Sequence, residues 1–116
     1  EWHKMGEGWS WARKHGSAQD HAAAAAQGWM EIARRLAEQV HDLYVLDEFS
    51  YPLHWGWVDT NEVVATLAAR PGRQHVVITG RSAPPALIDA ADLVVEMTKI
   101  KHPMDAGQKG QRGIEW

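Results

Sequence analysis

Leu43-Tyr44-Val45-Leu46-Asp47-Glu48 decides the fold class of this chain. Four apolar residues in an unbroken run suit a parallel strand buried on both faces, and two acids follow it directly. This is the Walker B pattern. Ligands of open α/β sheets bind outside the carboxyl ends of the strands. Carboxylates delivered there can hold Mg²⁺, directly or through water, and orient a nucleotide. The same pattern also fits a strand whose polar end simply meets solvent.

Working outward, Asp59-Thr60-Asn61-Glu62 opens a helix with Val63, Val64, Leu67 and Ala68 as its buried stripe, and Arg70-Pro71-Gly72 stops it. His75-Val76-Val77-Ile78-Thr79-Gly80 reads as a second strand. Ser82 and the Pro84-Pro85 pair start a short helix through Ala91, and Leu93-Val94-Val95-Glu96-Met97 reads as a third strand. Upstream, residues 17–40 predict a helix. Ser17 and Asp20 suit its first turn, and Ala22, Ala25, Ala26, Trp29, Ile32, Ala33, Leu36 and Val40 recur at helical spacing. Residues 1–16, with three Trp among Gly6, Gly8 and Gly16, read as an irregular loop, and residues 98–116 as a tail. Strands alternating with helices argue a single α/β domain with a parallel sheet and helices on its faces. Three strands are few for a sheet covered on both sides.

Composition narrows the function. The chain has 116 residues, an ordinary length for one domain. Its 12 Lys+Arg against 15 Asp+Glu leave a net charge of -3, which disfavours nucleic acid and anionic membrane as partners. The absence of Cys excludes disulfides, thiolate zinc sites and cysteine nucleophiles. No apolar run is long enough for a membrane span, and no signal peptide is visible, so a cytoplasmic protein is expected.

Other residues carry weaker signals. Thr79-Gly80-Arg81 offers a hydroxyl, an approachable backbone and a guanidinium at a strand end, where they can meet a phosphate, or it is a plain turn with a surface Arg. The His residues show no metal-ligand spacing, and His21 has no partner at i+3 or i+4. Trp29 lies on an apolar helix stripe and reads as core. Trp9, Trp11, Trp55 and Trp57 lie in predicted loops beside Gly, where they can line a flat apolar ligand or plug the sheet ends. No Gly-Lys-Ser/Thr phosphate loop occurs in the sequence.

Several stretches taken in order carry a family resemblance: Gly8-Trp9-Ser10-Trp11, Val45-Leu46-Asp47-Glu48-Phe49-Ser50-Tyr51, and Ala69-Arg70-Pro71-Gly72 through Ile78-Thr79-Gly80-Arg81. The tail from Val95 through Lys99-Ile100-Lys101-His102-Pro103-Met104-Asp105-Ala106-Gly107 to Gly113-Ile114-Glu115-Trp116 completes the set. Together they resemble the ATP:corrinoid adenosyltransferases of the CobA/CobO/BtuR type, with wording like that of the actinobacterial branch. The resemblance implies a P-loop NTPase-type parallel sheet with flanking helices and a cytoplasmic homodimer served by a flavoprotein reductant. The implied reaction transfers the 5′-deoxyadenosyl group of ATP to the Co(I) of a corrinoid, either cobalamin or cobyrinic acid a,c-diamide, and releases triphosphate. It assigns Trp9 and Trp11 to the corrin face and to displacement of the lower axial ligand of cobalt. It assigns Asp47 and Glu48 to Mg²⁺ and triphosphate, Arg81 to the nucleotide, and Tyr51, Trp55 and Trp57 to the corrin border.

The family's N-terminal strand, P-loop and helix have no counterpart in these residues. The resemblance therefore reads residues 1–116 as the C-terminal part of one adenosyltransferase domain. Such a part is expected to expose apolar surface, to self-associate, and to bind ATP poorly by itself, since backbone N–H groups and a Lys normally cradle the phosphates. A non-catalytic corrinoid- or tetrapyrrole-binding fragment is the alternative.

Overall fold

The computed structural model describes residues 2–4 and 18–113. Helix α1 spans Ala18–Ala37, strand β1 Leu43–Leu46, helix α2 Ser50–His54, helix α3 Thr60–Ala69, strand β2 His75–Ile78 and helix α4 Pro85–Ala90, followed by a 3₁₀ turn at Pro103–Ala106. The order is the alternating one expected of an α/β chain.

The α1 sequence is Ala-rich, which favours the helix, with Asp20 in its first turn and Arg34 and Arg35 in its last, each suited to the helix dipole. Glu31 reinforces it by ion pairs to Arg34 at 2.8 Å and Arg35 at 2.7 Å. The helix stops at Ala37, short of the predicted Val40. There Gln39 N–H bonds the Leu36 carbonyl at 3.2 Å and Val40 N–H the Arg35 carbonyl at 3.1 Å, with Gln39 left-handed at φ 53°. That is a Schellman closure, and it turns Val40 out to solvent.

β1 and β2 pair in parallel, Tyr44 opposite Val76 and Leu46 opposite Ile78. Those four side chains face the core, where Trp29, Ile32, Leu36, Phe49, Leu53, Val58, Val63 and Leu87 pack. Trp29 is therefore core, as its stripe position predicted. α3 opens as expected: Asp59 caps it by accepting the Glu62 N–H at 2.8 Å, and Val63 is fully buried. Ala68 is exposed, because the contacts of α3 come from Val63, Val64 and Leu67.

Gln74 closes the starting end of the sheet. Its buried amide nitrogen donates to the Leu36 carbonyl at 2.9 Å and the Pro71 carbonyl at 2.7 Å, joining the ends of α1 and α3 to β2.

Two expectations change. β1 is buried on one face only: Leu43 and Val45 are exposed, and so is Val77 beside them on β2. Leu93–Met97 is not a strand. Strands exist by pairing, and this stretch bonds neither β1 nor β2, so the sheet has two strands among the described residues. Its Leu93, Val95 and Met97 stand in solvent. Apolar exposure is thus concentrated on one sheet face and the segment after α4.

Candidate functional site

The site grows from the C-terminal ends of the two strands. The chain leaves β1 at Leu46 and turns through Asp47 and Glu48, which are both exposed. Glu48 adopts φ 56°, the left-handed region that costs a residue with a Cβ. β2 supplies the brace for this turn. Thr79 Oγ1 donates to Asp47 Oδ1 at 2.7 Å and accepts from Glu48 N–H at 2.9 Å. Thr79 N–H continues the ladder to the Leu46 carbonyl at 3.1 Å.

Ser50, at the start of α2, ties the same two ends from the other side. Its N–H donates to the Thr79 carbonyl at 3.3 Å and its buried hydroxyl to the Arg81 carbonyl at 2.8 Å. Gly80 lies against it at φ 138°. A Cβ built there would overlap the Ser50 hydroxyl and sit 2.8 Å from its Cβ, so the approach requires glycine. Arg81 is exposed, and its guanidinium has no hydrogen bond or ion pair among the described residues.

A second group of predicted residues gathers on α2 and the turn after it, which form a short helix and turns in place of the expected loop. Tyr51 N–H bonds the Glu48 carbonyl at 3.2 Å, so α2 follows the acid turn directly. Tyr51 stacks on Trp55 with centroids 5.2 Å apart, and Trp55 leans on Trp57 at 4.6 Å. Trp57 continues the run to His21 of α1, at 6.2 Å and 17°. Trp55 is 44% exposed, so the run presents aromatic surface to solvent. Trp9 and Trp11 lie outside the described residues.

Chemically, the strand-end group offers hard oxygen donors. Asp47 Oδ2 and the Glu48 carboxylate make no hydrogen bond among the described residues. Mg²⁺ is commonly held by one or two carboxylates plus substrate phosphates, so this donor set fits that ion. Among the described residues, no three of His, Cys, Asp or Glu converge as a metal cage. A groove lined by Arg70, Gly72, Arg73, Gln74, His75 and Asp92 lies at the other end of β2 and holds none of the predicted residues. No helix among the described residues is long and apolar enough to cross a membrane.

Sequence reasoning placed Asp47, Glu48 and Arg81 at the strand ends. Ser50 as the clasp carries no sequence signal, and the Thr79 hydroxyl, open in the sequence to a phosphate or a plain turn, bonds the acid turn after β1. No local pattern signals the stack of His21 on a ring 36 positions away.

The protein-family model described as ATP:corrinoid adenosyltransferase BtuR/CobO/CobP matches residues 1–116. A corrinoid adenosyltransferase of Pseudomonas aeruginosa is 43% identical over 115 residues, covering 99% of this chain and 56% of the relative. Corrinoid adenosyltransferase CobA of Salmonella typhimurium is 38% identical over 116 residues, covering 100% of this chain and 58% of the relative. A corrinoid adenosyltransferase of Escherichia coli is 34% identical, with the same shares. The chain thus spans a little over half the length of these relatives. The match runs from end to end, through the acid turn and the Thr-Gly-Arg strand end, and the chain belongs to the ATP:corrinoid adenosyltransferase family BtuR/CobO/CobP.

Proposed function

We propose that this chain carries the Walker B half of a corrinoid adenosyltransferase. The reaction moves the 5′-deoxyadenosyl group of ATP to the Co(I) of a corrinoid: a cobalt–carbon bond forms at C5′, the C5′–O bond breaks, and triphosphate leaves. The observation that carries this reading is the acid pair braced at the carboxyl ends of two parallel strands, in a chain of this family. A P-loop from outside residues 1–116 would complete the phosphate site, with this chain as the C-terminal part of one domain.

Mg²⁺ held by Asp47 and Glu48 would neutralise charge developing on the leaving triphosphate. In this reading Asp47 and Glu48 keep their oxygens turned to that ion, and Arg81 adds a guanidinium for a phosphate oxygen. Tyr51, Trp55 and Trp57 border the corrin and exclude water from one side of it, and the family resemblance assigns Trp9 and Trp11 to the corrin. The uncovered sheet face supports homodimer formation or higher self-association, and a flavoprotein supplies the electron for Co(I).

The test is conversion of ATP and reduced corrinoid to the light-sensitive adenosylcorrinoid by the full-length protein. Wild-type turnover is expected, with a loss of about 100-fold or more in Asp47→Asn, the order seen when one preorganised electrostatic partner is removed. No product from the wild type would sink the reading.

The aromatic run also supports a second reading, a corrinoid-binding fragment without catalysis. Cobalamin titrated into the 116-residue chain would then quench Trp fluorescence, and Trp55→Ala would weaken the quench, while no adenosylcorrinoid forms with the full-length protein.

A further inference from the structure

We propose that Thr79 is a positioning residue, whose hydroxyl selects the Asp47 oxygen that meets a cation. The inference rests on the acid-pair reading above.

A threonine hydroxyl has one proton to donate and lone pairs to accept. Here the proton goes to Asp47 Oδ1 at 2.7 Å, and a lone pair takes the Glu48 N–H at 2.9 Å. The donor is therefore spent inside the fold, and the hydroxyl has no proton left for a phosphate oxygen.

The backbone of Thr79 is held just as closely. Its N–H reaches the Leu46 carbonyl and its carbonyl takes the Ser50 N–H. All four bonds run to residues 46–50, so β2 acts on the acid turn as one rigid brace. Two consequences follow. Asp47 Oδ1 already gives a lone pair to Thr79, which favours Oδ2 as the oxygen for a cation. The Glu48 N–H is satisfied at a left-handed residue, where the turn is costly and needs support.

Valine matches the shape of threonine but has neither donor nor acceptor. Serine keeps both. Thr79→Val and Thr79→Ser therefore separate the hydroxyl from the packing, with Asp47→Asn as the control on the metal reading. The probe is Mn²⁺, a hard dication in the place of Mg²⁺, titrated into the ¹⁵N-labelled 116-residue chain. Line broadening at the Asp47 and Glu48 amides reports binding, and hydrogen exchange at the Glu48 amide reports the brace.

In the wild type, Mn²⁺ is expected to broaden both amides. Thr79→Val is expected to need about tenfold more Mn²⁺, the scale of one lost hydrogen bond to a charged group, and to speed Glu48 exchange about fivefold, the scale of one lost neutral bond. Thr79→Ser is expected to match the wild type. If Asp47→Asn abolishes the broadening while Thr79→Val binds Mn²⁺ as the wild type does, the positioning role is overturned. If Asp47→Asn leaves the broadening unchanged, the metal reading itself fails. Should the valine variant not fold, Thr79→Ala replaces it, with the same expectations.

Discussion

Trp29 of α1 donates its indole N–H to Glu62 of α3 at 3.2 Å while its ring lies 5.5 Å from Phe49, stacked. One buried side chain thus joins the long helix, the end of the acid turn and the first turn of α3. Removing the ring leaves a large cavity at the centre of the core. Trp29→Ala is expected to cost about 3–5 kcal/mol in urea unfolding. Trp29→Phe keeps most of the burial and loses the N–H, so its cost should fall well below that of alanine. Equal costs for the two would mean that ring burial contributes little.

The Schellman closure of α1 places Gln39 at φ 53°, a position usually given to glycine. Gln39→Gly removes the left-handed penalty of about 1 kcal/mol, less the added flexibility of the unfolded chain. The side chain of Gln39 also lies against Gly72, so some packing is lost. A small rise in the urea midpoint is expected. A clear fall would show that the Gln39 contact outweighs the backbone relief.

Hydrogen bonds from Arg34, and next from Arg35, hold the Glu31 carboxyl down from 4.5 to about 2. A lowered carboxylate pKa stabilises the fold above the unfolded value. That stability is lost as pH falls through about 4.5 towards 2. Glu31→Gln has no such titration. Urea midpoints are expected to fall less steeply in this variant than in the wild type over that window, and parallel curves would remove Glu31 from the acid response.

Val45 and Val77 stand side by side on the bare sheet face, 54% and 47% exposed. Parallel sheets are ordinarily covered on both faces, and an open apolar patch favours association. The 116-residue chain is expected to scatter light as a dimer or larger at micromolar concentration. Replacing both valines by lysine should shift it to the monomer mass. A monomeric wild type would overturn the self-association reading.

Much of this was legible in the sequence because it is local. The Asp59 cap, the Val63 stripe and the apolar spacing that buries Trp29 each depend on neighbours within one or two helical turns. The acid pair was legible because a strand must deliver its last residues to the sheet edge. What escaped depends on partners distant in sequence. The run Leu93–Met97 has the composition of a strand, yet pairing is a property of two segments. Tyr44 and Val45 look equally apolar, and only the one-sided packing of α1, α3 and α4 exposes the second. Thr79 carries a hydroxyl whose use the sequence leaves open, and the parallel register of β1 and β2 sets it against Asp47.

The Gln74 amide ties the last turn of α1 to the start of β2. To loosen the helix from Ala37, the bond from Gln74 to the Leu36 carbonyl must break, at a cost of about 0.5–1.5 kcal/mol. At the other end of the helix, His21 stacks on Trp57. The long helix is thus tied to the rest of the fold near both of its ends, and its last turn and the start of β2 loosen together or not at all.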